Sequence, residues 1–331
     1  MRIAVSPYHL TTRELPAMVA LQLGSSAVTF MPGVMAGVVG DSEPSPSRFE
    51  RLARSSARYA RVVESWGWSM PLWDAGVIES GLPDDDASFD MRAAWERCAR
   101  DDRYAPLRPF LKGHLLDDPS RWIEAAAADV LKGGPDPAIT VPLTAGLDRF
   151  AARHRLVVAR PRPCSVAQRA EASLARPVCG LVLPMLVQAS ADRLLLAREL
   201  LDEYAAPIRE ALSNAAVGRE QSPELRAAAR EYEAGFAEIE AELRADQTRD
   251  EVRVITAPVS ISLAILPSDA ALKSSCLAAM SALGGSPVRS EPGIIATDPI
   301  DATPLSAFFV GLVGSGGVSQ PPRARLGRSR H

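Results

Sequence analysis

The densest run of reactive side chains is Tyr8-His9-Leu10-Thr11-Thr12-Arg13-Glu14. An imidazole exchanges a proton near neutral pH. A guanidinium can grip a carboxylate or phosphate through two parallel hydrogen bonds, and hydroxyls can orient the bound group. The run follows a short apolar stretch, Ile3–Ser6, that reads as a strand. In open α/β sheets ligands bind beyond the carboxyl ends of strands. His9, Arg13 and Glu14 are therefore the catalytic candidates, and Tyr8, Thr11, Thr12 and Arg13 the candidate ligand-binding residues. A small phosphate or carboxylate is the ligand they fit. The same residues also support a plainer reading. Thr11 and Glu14 stand three apart, as in a capping box at a helix N-terminus, and Tyr8 and His9 then close a loop.

Other motifs are weaker. Lys132-Gly133-Gly134-Pro135 is basic and Gly-rich, but it lacks the P-loop spacing and reads as a helix stop. Gly314-Ser315-Gly316-Gly317 follows a strand and leads into an Arg/Gly/Pro tail, so it reads as a linker. Asp84, Asp85, Asp86 and Asp90 have no EF-hand spacing. The four histidines are scattered, and the four cysteines form no CxxC pair. No metal or cofactor is expected, and the thiols are expected to be reduced, as in a cytoplasmic protein.

A net charge of -3 gives no overall attraction to nucleic acid or anionic lipid. Arg51, Arg54, Arg58 and Arg61 line one helix face, but Glu50 and Glu64 flank them, which favours a solvated face over a phosphate-binding one. Leu15 to Gly40 carries no charge and is long enough to span a bilayer. Pro16, Gly24, Pro32 and Gly33 cut it into pieces of helix and strand length, so a soluble chain without a secretory signal is expected.

The positioning elements follow from periodicity. Ile3–Ser6, a helix Pro16–Leu23 stopped at Gly24, and Ala27–Met31 read as β-α-β. A Pro/Ser linker ends this first segment, 1–47. All five tryptophans fall within 48–134, read as a helical insertion. Residues 135–189 supply core strands at Leu156–Ala159 and Val178–Leu183, the second limited by Pro184. Ala191–Asn214 and Pro223–Arg244 carry apolar stripes at three- and four-residue spacing, which predicts a long antiparallel helical hairpin over 190–248. Residues 249–313 return strands Val252–Ile255 and Val259–Ile265, separated by Pro258, then a helix Ser268–Leu283 and a strand Leu305–Val313. Residues 314–331 read as a disordered tail. The expected fold is α/β (or α+β): one mixed sheet flanked by helices, joining both ends of the chain.

Two functions fit. The first is a non-enzymatic subunit that assembles with itself or docks another protein through the hairpin, with Tyr204, Arg230, Phe236 and Ile239 as interface candidates. The second is an enzyme or sensor that binds a small anionic ligand at residues 8–14. Nucleic-acid binding comes third.

Overall fold

Short apolar runs in which every residue is apolar suit strands covered on both faces. Ile3–Ala4, Ala27–Val28 and Val157–Ala159 are such runs, and all are buried. The computed structural model describes residues 1–29, 57–80, 96, 99–100, 119–132, 136–160, 176–216, 225–245, 252–267 and 305–313. Its strands are β1 (Arg2–Ala4), β2 (Ser26–Thr29), β3 (Ile78–Ser80), β4 (Val157–Arg160), β5 (Arg176–Gln188), β6 (Ile255–Pro267) and β7 (Ser306–Val313). They form one mixed seven-stranded sheet in the order β3-β2-β1-β4-β7-β6-β5. As expected, both ends of the chain enter the same sheet.

The first four strands are mutually parallel, with Ile3 level with both Ala27 and Val157. β7 pairs antiparallel with β4 and parallel with β6, and β5 closes the far edge antiparallel to β6. β3 lies in the region read as a helical insertion, where three residues are too few for an alternation to register.

The helices are α1 (Pro7–Thr12), α2 (Leu15–Leu23), α3 (Ala57–Ser65), α4 (Met70–Asp74), α5 (Pro119–Lys132), α6 (Pro137–His154), α7 (Ala191–Leu200), α8 (Asp202–Ala216) and α9 (Leu225–Arg244). On one face α2, α8 and α9 cover the sheet: Gly311 lies against Ala216, and the Tyr232 hydroxyl reaches Met185 Sδ. On the other face α6 brings Asp148 to Arg160. α6 was not anticipated, because Pro137, Pro142 and Gly146 obscure its apolar stripe of Ile139, Leu143, Leu147 and Phe150.

Two prolines behave differently from expectation. β6 runs through Pro258 and β5 through Pro184, and the two residues face each other in the register. Leu186 gives its backbone groups to Gln22 rather than to Thr256, its partner in register. That pair is therefore a non-bonded one, and so is Pro184–Pro258 two residues away. The missing N–H of Pro184 points off the sheet edge. That of Pro258 points to the β7 side, ahead of the Ser260–Ser306 pair at which the described β6–β7 pairing begins.

Gly24 stops α2, though not by a left-handed turn: its φ is -68°. A Cβ there would stand 2.7 Å from the Ala20 carbonyl oxygen, so the position requires closeness rather than positive φ.

The stretch 191–214 is two helices, broken at Leu201. Tyr204 packs so closely on Gly235 that a Cβ there would meet its ring at 2.6 Å. The apolar stripe of α9 (Tyr232, Phe236 and Leu243) is buried, so these helices form a layer on the sheet. The expected helix at 268–283, the stretches 30–56 and 81–95, and the tail at 314–331 lie outside the described residues.

Candidate functional site

Strand order reverses at β1. The chain leaves β1 for β2 and β3 on one side, then returns to place β4 on the other. The carboxyl ends of β1 and β4 therefore border the crevice where doubly wound sheets bind ligands. Carried two residues beyond Ala4–Val158, the parallel register sets Ser6 level with Arg160. α1 begins at the next residue.

Residues 8–14, read as a loop, are mostly the short helix α1. Pro7 fixes φ at its first position and has no N–H to leave unpaired. Arg13 ends it in the left-handed region (φ 53°), while the Glu14 N–H donates to the His9 carbonyl. This is the geometry in which glycine is usual.

This local fold scatters the candidates. Tyr8 donates its hydroxyl to Asp129 Oδ2 on α5. Thr11 Oγ1 donates to the Pro7 carbonyl and accepts from Trp66 Nε1 at 2.6 Å. Thr12 Oγ1 lies within reach of the Tyr8 carbonyl and Glu14 Oε1. No capping box forms, because both Thr hydroxyls bond back to carbonyls four residues earlier. Arg13 stacks its guanidinium 4.5 Å over the Trp68 ring, and burial lowers its pKa.

Of the catalytic candidates, His9 and Glu14 come together. The imidazole is 7% exposed. Its Nε2 lies 3.6 Å from Glu14 Oε2. Its Nδ1 is buried and, among the described residues, has no hydrogen-bond partner. At 3.6 Å the ring and the carboxylate do not hydrogen-bond, but the carboxylate's charge favours the ring proton on Nε2, and a neutral imidazole then carries its unshared pair on Nδ1.

Two residues that sequence reasoning missed complete the setting. Arg160, at the end of β4, is buried and makes a bidentate pair with Asp148 on α6, at 2.6 and 2.8 Å. Its charge reaches His9. Burial first, then Arg160, lower the His9 pKa, and Glu14 opposes them. A signal was present: Arg160 is a charge placed where an apolar strand ends. Its partner twelve residues earlier was hidden in the unassigned helix α6.

The lowered pKa makes His9 an acid-sensitive element. Its folded pKa lies below the ordinary 6.5. Between those values the unfolded chain binds a proton that the folded one does not, so stability is full above about pH 6.5 and falls below it. The urea midpoint of His9→Gln should therefore drop less between pH 7.5 and pH 5 than that of the wild type. Equal drops would show that His9 does not carry this dependence.

Among the described residues no group of three His, Cys, Asp or Glu side chains could hold a metal ion. None of the described helices is long and apolar enough to cross a membrane. Cys179 is buried, and burial pushes its thiol up to about 11, away from nucleophilic use. The interface candidates divide: Phe236 is buried, Tyr204 and Ile239 are half-buried against the core, and Arg230 is exposed. No protein family, curated protein or solved structure matches this chain.

Proposed function

We propose that the protein is an enzyme or sensor that binds a small anionic ligand in the crevice between the ends of β1 and β4. One observation carries this reading. A buried imidazole with an unpartnered ring nitrogen stands where the strand order reverses, within electrostatic range of Arg160. Natural proteins pair their buried polar atoms, and an exception calls for an explanation. A ligand that supplies the missing partner is one. Arg160 gives the crevice a positive element, and Asp148 fixes its orientation.

The ligand set of this reading differs from the one expected from sequence. His9 stays at its centre, Arg160 takes the cationic place assigned to Arg13, and the hydroxyls of Thr11 and Tyr8 serve internal packing. Assembly through the helices 191–244 is the weaker reading, since their apolar stripe is spent on the sheet. Their exposed positions are charged residues such as Arg226 and Arg230, interspersed with small ones such as Ala227 and Ala234.

Thermal unfolding tests the proposal. Inorganic phosphate or a small carboxylate at a hundred times its Kd should stabilise the fold by about 2.7 kcal/mol. His9→Phe should abolish that gain while Arg13→Ala keeps it. No stabilisation by any member of a panel of phosphates and carboxylates would refute the reading. Loss of the gain in Arg13→Ala alone would return the site to the 8–14 segment.

A further inference from the structure

The state of His9 narrows the class of ligand beyond its charge, an argument that rests on the ligand reading above. With the proton on Nε2, the nitrogen 3.6 Å from Glu14 Oε2, Nδ1 is an acceptor that no donor meets among the described residues. A fully deprotonated anion has only lone pairs to offer. Set against Nδ1, it would bring two acceptors together in a buried place and leave both unsatisfied. An anion that also carries an O–H satisfies the site twice, its charge lying toward Arg160 and its hydroxyl donating to Nδ1.

We propose that the ligand is an oxyanion that carries its own O–H group, donated to His9 Nδ1. Hydrogen phosphate, the monoanion of a phosphate monoester, and a hydroxycarboxylate share this chemistry; sulfate and simple carboxylates lack it. The site then selects by protonation as well as charge. It discriminates between ions of nearly the same shape and size, which packing alone cannot do. Arginine supplies donors only, so Arg160 attracts both members of such a pair, and selectivity belongs to the imidazole.

The test is calorimetric titration of the full chain at pH 7.5 with two matched pairs, inorganic phosphate against sulfate and glycolate against acetate. The first member of at least one pair should bind about tenfold or more tightly than the second, the size expected when a buried acceptor is left unpaired. Which pair discriminates tells whether the source is a phosphate or a hydroxy acid. In His9→Phe, which removes the acceptor at similar volume, the preference should fall to within about twofold. If that variant does not fold, the ring-nitrogen resonances of wild-type His9 serve instead: Nδ1 should shift with phosphate or glycolate and stay still with sulfate or acetate. Equal affinities within both pairs, or a silent Nδ1 under a bound anion, would overturn the inference and leave the ligand reading standing. Failure of all four anions, and of the larger panel, to bind would remove both.

Discussion

Arg160→Met should cost about 3–5 kcal/mol of stability, because it takes from the buried Asp148 carboxylate its bidentate partner. The side chains of the pair are 8% and 4% exposed, and the two hydrogen bonds join them in a planar fork. Removing one member leaves the other desolvated without its bidentate partner, a larger loss than the net worth of the pair. Adding Asp148→Leu should restore most of the stability, since a packed apolar pair often equals a buried ion pair. The double variant thereby separates fold from function. It should unfold near the wild-type urea midpoint yet bind phosphate far more weakly. A single Arg160→Met variant that loses under about 1 kcal/mol would mean that water reaches the pair, and Arg160 would then be an ordinary surface cation.

Part of this molecule could be read from its residues in order. β1, α2 and β2 were legible because each is bounded by a residue with one local meaning: Pro16 in the first turn of α2, Gly24 after its last. β7 was legible as an uninterrupted apolar run. Elements failed where a residue's usual meaning is overridden by what lies beside it in space. Pro184 and Pro258 ordinarily end strands, but here they form a non-bonded pair whose missing N–H groups point away from each other. Pro142 and Gly146 ordinarily weaken a helix, but α6 is secured by Leu143, Leu147 and Phe150 against the sheet.

The site was half legible for the same reason. His9 stood out because its reactive neighbours are adjacent in sequence. That adjacency also misled, since α1 turns consecutive side chains in different directions. Tyr8 faces α5, Thr11 faces Trp66, and Arg13 lies over Trp68. Arg160 joins His9 only because β4 returns to the far side of β1, and strand order is not written in local pattern.

Gln22 is another contribution to the fold that the sequence did not announce, and Gln22→Leu should destabilise it by roughly 2–6 kcal/mol, the sum for two backbone groups left unpaired. Its side chain is 6% exposed on a helix that is otherwise apolar. Nε2 donates to the Leu186 carbonyl at 2.8 Å, and the Leu186 N–H donates to Oε1 at 2.8 Å. The amide thus imitates one residue of a neighbouring strand. Leu186 lies on β5, the edge of the sheet, four places from β1 in strand order. For α2, which also packs on β2, β4 and β7, to reach it, the sheet must curl around the helix, as strongly twisted sheets do. An edge strand presents unpaired N–H and C=O groups, and burying that edge without partners would be costly. Gln22 removes the cost at Leu186, while Pro184 removes a donor just before it. Leucine matches glutamine in bulk but offers no polar atoms, so the loss should come from the orphaned Leu186 groups rather than from a cavity. Hydrogen exchange separates the two causes. The Leu186 amide should be strongly protected in the wild type and lose protection beyond its neighbours Met185 and Val187 in Gln22→Leu. A variant within 0.5 kcal/mol of wild type, with the Leu186 amide unchanged, would show that the edge finds another partner and that the curl of the sheet does not depend on this contact.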